Sequence, residues 1–260
     1  MGIIKTDEWL EEHFTNPFKL CELAVPEVDS RSFYYYVKRF GMYEPSEQTR
    51  DVVKKLKEQD VWNKVDRFYR LYKKKWSGPE VDIYIFPIDL HQSFFRERLK
   101  GRSGLAYKNK IFLFLTDEKD EKGWEALFIH EYHHAARMAK QKKEISEYTL
   151  LDSLMIEGLA EHAVLLYCGK KFTARWENDF SSEMLKYYWK HIYEPNVAAN
   201  RESVLHDDLL LGRRRIPRMM GYAIGGKLVD GYLRNNSLSI KESFDIQAEK
   251  LLVNNHFLDE

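Results

Sequence analysis

Residues Trp124 to Lys140 read WEALFIHEYHHAARMAK, and inside them His130, Glu131, Tyr132, His133 and His134 spell H-E-x-x-H. A helix brings side chains four apart onto one face, so His130 and His134 can aim imidazole nitrogens at one point. Glu131 lies about 100° round from His130, near enough to hold a water on an ion bound there. Zinc takes imidazole nitrogen readily, and a catalytic zinc keeps one position open for water. The placement of these residues on the helix carries more weight than the motif. Trp124, Leu127, Ala135 and Met138 define an apolar stripe, with Glu131 and His134 in its middle and His130 at its edge. A carboxylate buried there without a partner is costly, whereas a metal ion and a substrate cleft account for it. His133 falls on the opposite side and reads as structural.

Two imidazoles alone hold zinc poorly, so a third ligand is expected. The next helical stretch, LLDSLMIEGLAEHAVLLYC (Leu150 to Cys168), has the same anomaly. Its stripe of Leu150, Leu154, Leu165 and Cys168 is interrupted by Glu157 and Glu161, one turn apart. Gly158 between them lets a neighbouring helix come close. Helical geometry does not separate the two acids as ligands, and Glu161 lies even nearer the stripe centre.

Outward from these helices the pattern is coarser. KTDEWLEEHF, SEQTRDVVKKLKEQD and DVWNKVDRFYRLYKKKW space their apolar residues at three and four, which predicts helices through the first seventy-five residues. Composition changes after Gly78-Pro79. VDIYIFPI (Val81 to Ile88) reads as a strand, QSFFRERL (Gln92 to Leu99) as a short amphipathic stretch. GLAYKNKIFLFL then offers two extended runs, Gly104 to Tyr107 and Ile111 to Leu115, around a Lys-Asn turn. Helices are expected near 119–142, 147–168, 176–193, 198–211, 218–234 and 240–253, the last with a Ser239/Glu242 capping box. The expected class is α+β and helix-rich, with a small central sheet. An N-terminal helical region, 1–78, precedes a domain over 79–260, or the two form one continuous globular unit.

Charge is balanced, 41 basic against 41 acidic side chains in 260 residues, which removes the electrostatic case for a nucleic-acid or membrane partner. Two distant cysteines, Cys21 and Cys168, make no disulfide framework, so a reducing, cytoplasmic setting is expected. The N-terminus shows no apolar signal core, and no uncharged run approaches the length of a membrane span.

The pairing of HEYHH with EGLAE resembles the gluzincin arrangement, in which a Glu on the following helix is the third zinc ligand. More narrowly, FIHEYHH, IEGLAEHAV and GYAIGGKLVDGYL resemble a bacterial family of predicted zinc-dependent proteases of unknown function, across roughly residues 80 to 252. The resemblance implies a zincin-like fold and one Zn²⁺ held by His130, His134 and Glu157. Glu161 would orient a ligand histidine through its other ring nitrogen, and Gly104 to Tyr107 would be an edge strand pairing with an extended substrate. Glu131 is the expected general base. Related enzymes take an oxyanion donor from a later helix, here Tyr222, with His206 as rival. Gly221, Gly225 and Gly226 suggest close packing against the zinc helices, and RRRIPR (Arg213 to Arg218) reads as a solvated basic face or a grip on a substrate carboxylate.

The implied activity is peptide-bond hydrolysis, with a peptide or protein as substrate. Some members of the family are labelled cofactors of DnaK-type chaperones, which adds a chaperone as candidate partner. Two rival functions follow: a chaperone-associated binding protein with a structural or vestigial zinc, and a non-peptidase zinc hydrolase. Glu131 argues against the first, since a structural site has no use for a base. Nothing in the sequence excludes the second.

Overall fold

The computed structural model describes residues 1–91, 101–174 and 176–259, so the stretch Gln92 to Leu99 lies outside the described residues. The chain gathers into two compact units, Met1–Ala135 and Ala136–Glu260, with the division falling inside one helix. The fold is α+β and rich in helix, with one four-stranded mixed sheet.

The first unit opens with β1 (Gly2–Ile3) and five helices: α1 (Thr6–His13), α2 (Pro17–Ala24), α3 (Ser30–Lys38), α4 (Glu47–Glu58) and α5 (Val61–Trp76). Three strands follow, β2 (Asp82–Pro87), β3 (Arg102–Tyr107) and β4 (Lys110–Leu115). The sheet order is β1-β2-β4-β3; β2 runs parallel to β1 and β4, and β3 runs antiparallel to β4. The composition change at Gly78-Pro79 thus lies within this unit, where the N-terminal β1 pairs with β2 in the register Gly2 to Asp82.

Burial follows position in the sheet. In β2 and β4 every residue after the first is buried, as interior strands covered on both faces require. In β3, Ser103 and Leu105 are buried while Arg102, Gly104 and Ala106 are half-buried, the alternation of a strand with one open face. The β3–β4 turn is at Lys108-Asn109, with Lys108 at φ 51°.

Helix α6 (Glu121–Gln141) starts where Asp120 Oδ1 accepts the Gly123 N–H, at 3.0 Å. Its last residues belong to the second unit, with α7 (Leu150–Cys168), α8 (Ser182–Tyr188), α9 (Val204–Leu211), α10 (Met220–Asn235), α11 (Ile240–Ser243) and α12 (His256–Asp259). Thr149 and Asp152 form a reciprocal cap at the start of α7. Helix α7 packs on α10 through glycine: a Cβ on Gly158 would strike the Gly225 carbonyl, and one on Gly225 the Leu154 carbonyl.

Three expected helices are shorter or broken. The stretch 198–211 is helical only from Val204, because its first part serves α7: Ala199 O accepts the Leu150 N–H at 2.8 Å and Val197 O accepts that of Leu151 at 3.0 Å. The stretch 176–193 divides into a 3₁₀ turn at Trp176–Asp179, α8, and a π turn at Trp189–Tyr193 whose Tyr193 hydroxyl donates to Leu209 O. The stretch 240–253 becomes α11, with its Ser239/Glu242 capping box, and a 3₁₀ turn at Ala248–Leu252. Ile240, Phe244 and Leu251 are buried all the same. Their helical spacing marked burial rather than backbone continuity. Among the described residues, no helix is long and apolar enough to cross a membrane.

Candidate metal centre

In the first unit, α6 is anchored by its rings. Tyr132 stacks on Trp76 at 5.6 Å and on Phe128 at 5.3 Å, and its hydroxyl donates to Pro79 O at 3.0 Å. Burial pushes the Tyr132 phenol well above its ordinary pKa, so it stays a neutral donor. His133, fully buried, meets Trp76 edge to face at 6.3 Å. These contacts hold one side of the helix and turn another toward the site, where the rings of His130 and His134 lie 4.5 Å apart at 79°. Between them in sequence, Glu131 is only 5% exposed. It lies against Gly104 of β3: a Cβ on that glycine would come within 2.5 Å of Glu131 Cγ.

The second unit carries a cleft between α7 and α10. Glu157, Glu161 and His162 line it from α7, Tyr222 and Asp230 from α10, and Thr173 and Trp176 from the intervening segment. Glu161 Oε2 accepts the Ala174 N–H at 2.7 Å, which ties that segment to the helix. Burial pushes the His162 imidazole below its ordinary pKa, with Asp230 pulling the other way.

One nitrogen from each of His130 and His134 and one carboxylate oxygen of Glu157 lie within 4.8 Å of one another, and among the described residues they form the group of three able to hold a metal ion. Glu161 and His133 are outside it. A family described as predicted Zn-dependent protease (DUF2268) matches residues 61–253. The chain belongs to this family. It is also 34% identical over 217 residues to an uncharacterized protein, YjaZ, of Bacillus subtilis strain 168, a match covering 84% of this chain and 83% of the relative. No solved structure matches.

The stretch matched by the predicted Zn-dependent protease family contains α6, α7 and α10 entire. Within it the remaining sequence candidates are placed as follows. Tyr222 shares the cleft with Glu157. His206, 1% exposed, does not line that cleft: its Nε2 is 2.8 Å from Ser153 Oγ and its Nδ1 3.3 Å from Asp207. Arg213, Arg214, Arg215 and Arg218 are exposed, and Arg214 pairs with Asp208 at 2.8 Å, a solvated basic face. Of the three glycines on α10, Gly225 meets α7, Gly226 lines the cleft, and Gly221 approaches the Leu209 and Leu210 backbone at the end of α9. Sequence reading did not single out His162, Asp230 or Trp176 as cleft residues. The i, i+5 spacing from Glu157 to His162 gives no hint of a shared wall until α10 is laid beside α7.

Proposed function

We propose that this chain is a zinc-dependent peptidase in which His130, His134 and Glu157 hold one Zn²⁺, Glu131 is the general base and Tyr222 the oxyanion donor. The donor set fits the metal: two imidazoles and one carboxylate are the three protein ligands of a well-known class of catalytic zinc site. When bound, the ion supplies Lewis acidity and lowers the pKa of a water at its open position to about 7.

Glu131 accepts the proton of the attacking water at its carboxylate and returns it to the nitrogen of the leaving amine. The Tyr222 hydroxyl donates to the substrate carbonyl oxygen as charge develops there. β3 stands last in the order of described strands, where its outer backbone groups can pair with an extended peptide. Glu161 braces the ligand shell from the next turn of α7. The observation carrying this reading is the gathering of three donors beside a buried acid, Glu131, that holding the ion does not require.

The test is Glu131→Gln, which keeps shape and hydrogen-bonding capacity while removing the base. Zinc stoichiometry should match wild type, and the steady-state rate on a peptide the wild type cleaves should fall by about 10²- to 10⁴-fold. A rate within a few-fold of wild type at full zinc occupancy excludes Glu131 as base.

A further inference from the structure

Gly104 and Glu131 meet inside the first unit, and their contact is tighter than any side chain allows. A Cβ on Gly104 would lie 2.5 Å from Glu131 Cγ, 2.6 Å from Oε1 and 2.7 Å from Cδ. Carbon atoms in contact settle at about 3.5–4.0 Å, so the overlap is about 1 Å against three consecutive parts of one side chain. Backbone conformation does not demand glycine here, since Gly104 is absent from the residues with left-handed φ. Space is the demand. Glu131 is itself 5% exposed, so the displaced carboxylate has little open solvent to move into.

We propose that Gly104 is a positioning residue for Glu131: the missing side chain on β3 leaves the carboxylate its place beside the metal ligands. The inference rests on Glu131 being the base. A methyl group at 104 pushes the carboxylate out of that place while His130, His134 and Glu157 are left untouched. Gly104→Ala therefore separates metal binding from base placement without altering either set of functional groups.

The experiment compares wild type, Gly104→Ala, Glu131→Ala and the double variant, in two measurements that need no substrate. In urea, Gly104→Ala should lower the unfolding midpoint in the wild-type background and leave it nearly unchanged in the Glu131→Ala background. An equal drop in both backgrounds means the methyl meets something other than Glu131, and overturns the inference. Should Gly104→Ala alone fail to fold, the double variant decides: folding restored supports the inference, folding still lost overturns it.

The second measurement is the visible absorption of each folded protein loaded with Co²⁺ in place of zinc, which reports the ligand field at the metal. Glu131→Ala should alter the band, Gly104→Ala should alter it in the same sense at equal metal content, and the double variant should shift it no further. A wild-type band in Gly104→Ala beside an altered one in Glu131→Ala overturns the positioning role and leaves the base assignment standing. A wild-type band in Glu131→Ala overturns the base assignment, and the positioning role with it.

Discussion

Helices α6 and α7 are both buried along most of their length, yet they are held by different means. On α6 the contacts are ring on ring: Trp76, Phe128 and Tyr132 stack, and His133 meets the same indole edge on. On α7 the contact is backbone on backbone, where Gly158 and Gly225 let α10 come close enough for carbonyls to fill the space of side chains. Stacked rings lose contact area when one is removed, but the rest can repack. A carbonyl facing a new methyl group has nowhere to go without moving a helix. Helix α6 therefore rests on bulk, and α7 on its absence.

The largest contrast is expected at the metal. Glu157→Ala should leave protein with little zinc, whereas Glu161→Ala should weaken zinc by about 10- to 100-fold, the range for groups that orient ligands. Elemental analysis and competition with a chelator read both. If Glu161→Ala abolishes binding and Glu157→Ala does not, the two acids of α7 are reversed.

Next in size is Trp76→Ala, which removes an indole 3% exposed from behind α6. It should cost about 3–5 kcal/mol, as for other large aromatic truncations in a core. Denaturant unfolding of the metal-free protein measures it, and a loss below about 1 kcal/mol would show that the stack does not hold α6 in place.

Gly225→Ala attacks the packing of α7 on α10. The added methyl overpacks the Leu154 carbonyl and should cost about 1–3 kcal/mol. Although it adds only one carbon, it should also lower zinc affinity, because Leu154 is one turn before Glu157 on the same helix. Unchanged affinity at reduced stability would mean that α7 gives way elsewhere along its length.

The smallest effect concerns pH. Burial holds the His162 imidazole below its ordinary pKa of about 6.5, so the unfolded chain binds that proton first as pH falls. Its contribution is therefore present at neutral pH and lost as pH drops from about 6.5 towards the depressed folded value. Metal-free wild type should lose Tm over that range more steeply than His162→Gln. Parallel curves would show that His162 does not titrate differently in the folded cleft.

Much of α6 was legible because its information is local. H-E-x-x-H puts three groups on neighbouring faces of one helix, and no other segment is needed to see it. The C-terminal end of α7 was nearly as plain, but its start, expected near 147, is set at Leu150 by the Thr149/Asp152 cap. The C-terminal stretch 240–253 was harder: Ile240, Phe244 and Leu251 have helical spacing, yet the backbone between them turns. Pairing of Gly2-Ile3 with β2 could not be read at all, because the partner strand lies some eighty residues away and two residues carry no pattern.

By itself the sequence determined the helix carrying His130, Glu131 and His134, the pair of acids on the next helix, and the helix-rich α+β class. Each follows from the period of one segment or the caps at its ends. Tertiary structure alone decided that Glu161 takes the Ala174 N–H and lines a cleft with His162, that His206 is occupied by Ser153, and that Gly104 faces Glu131. The physical reason is the same in each case. Residues one turn apart on a helix share a face and an environment in the isolated segment. Only the packing of a second element against that face gives them different neighbours, and so different chemistry.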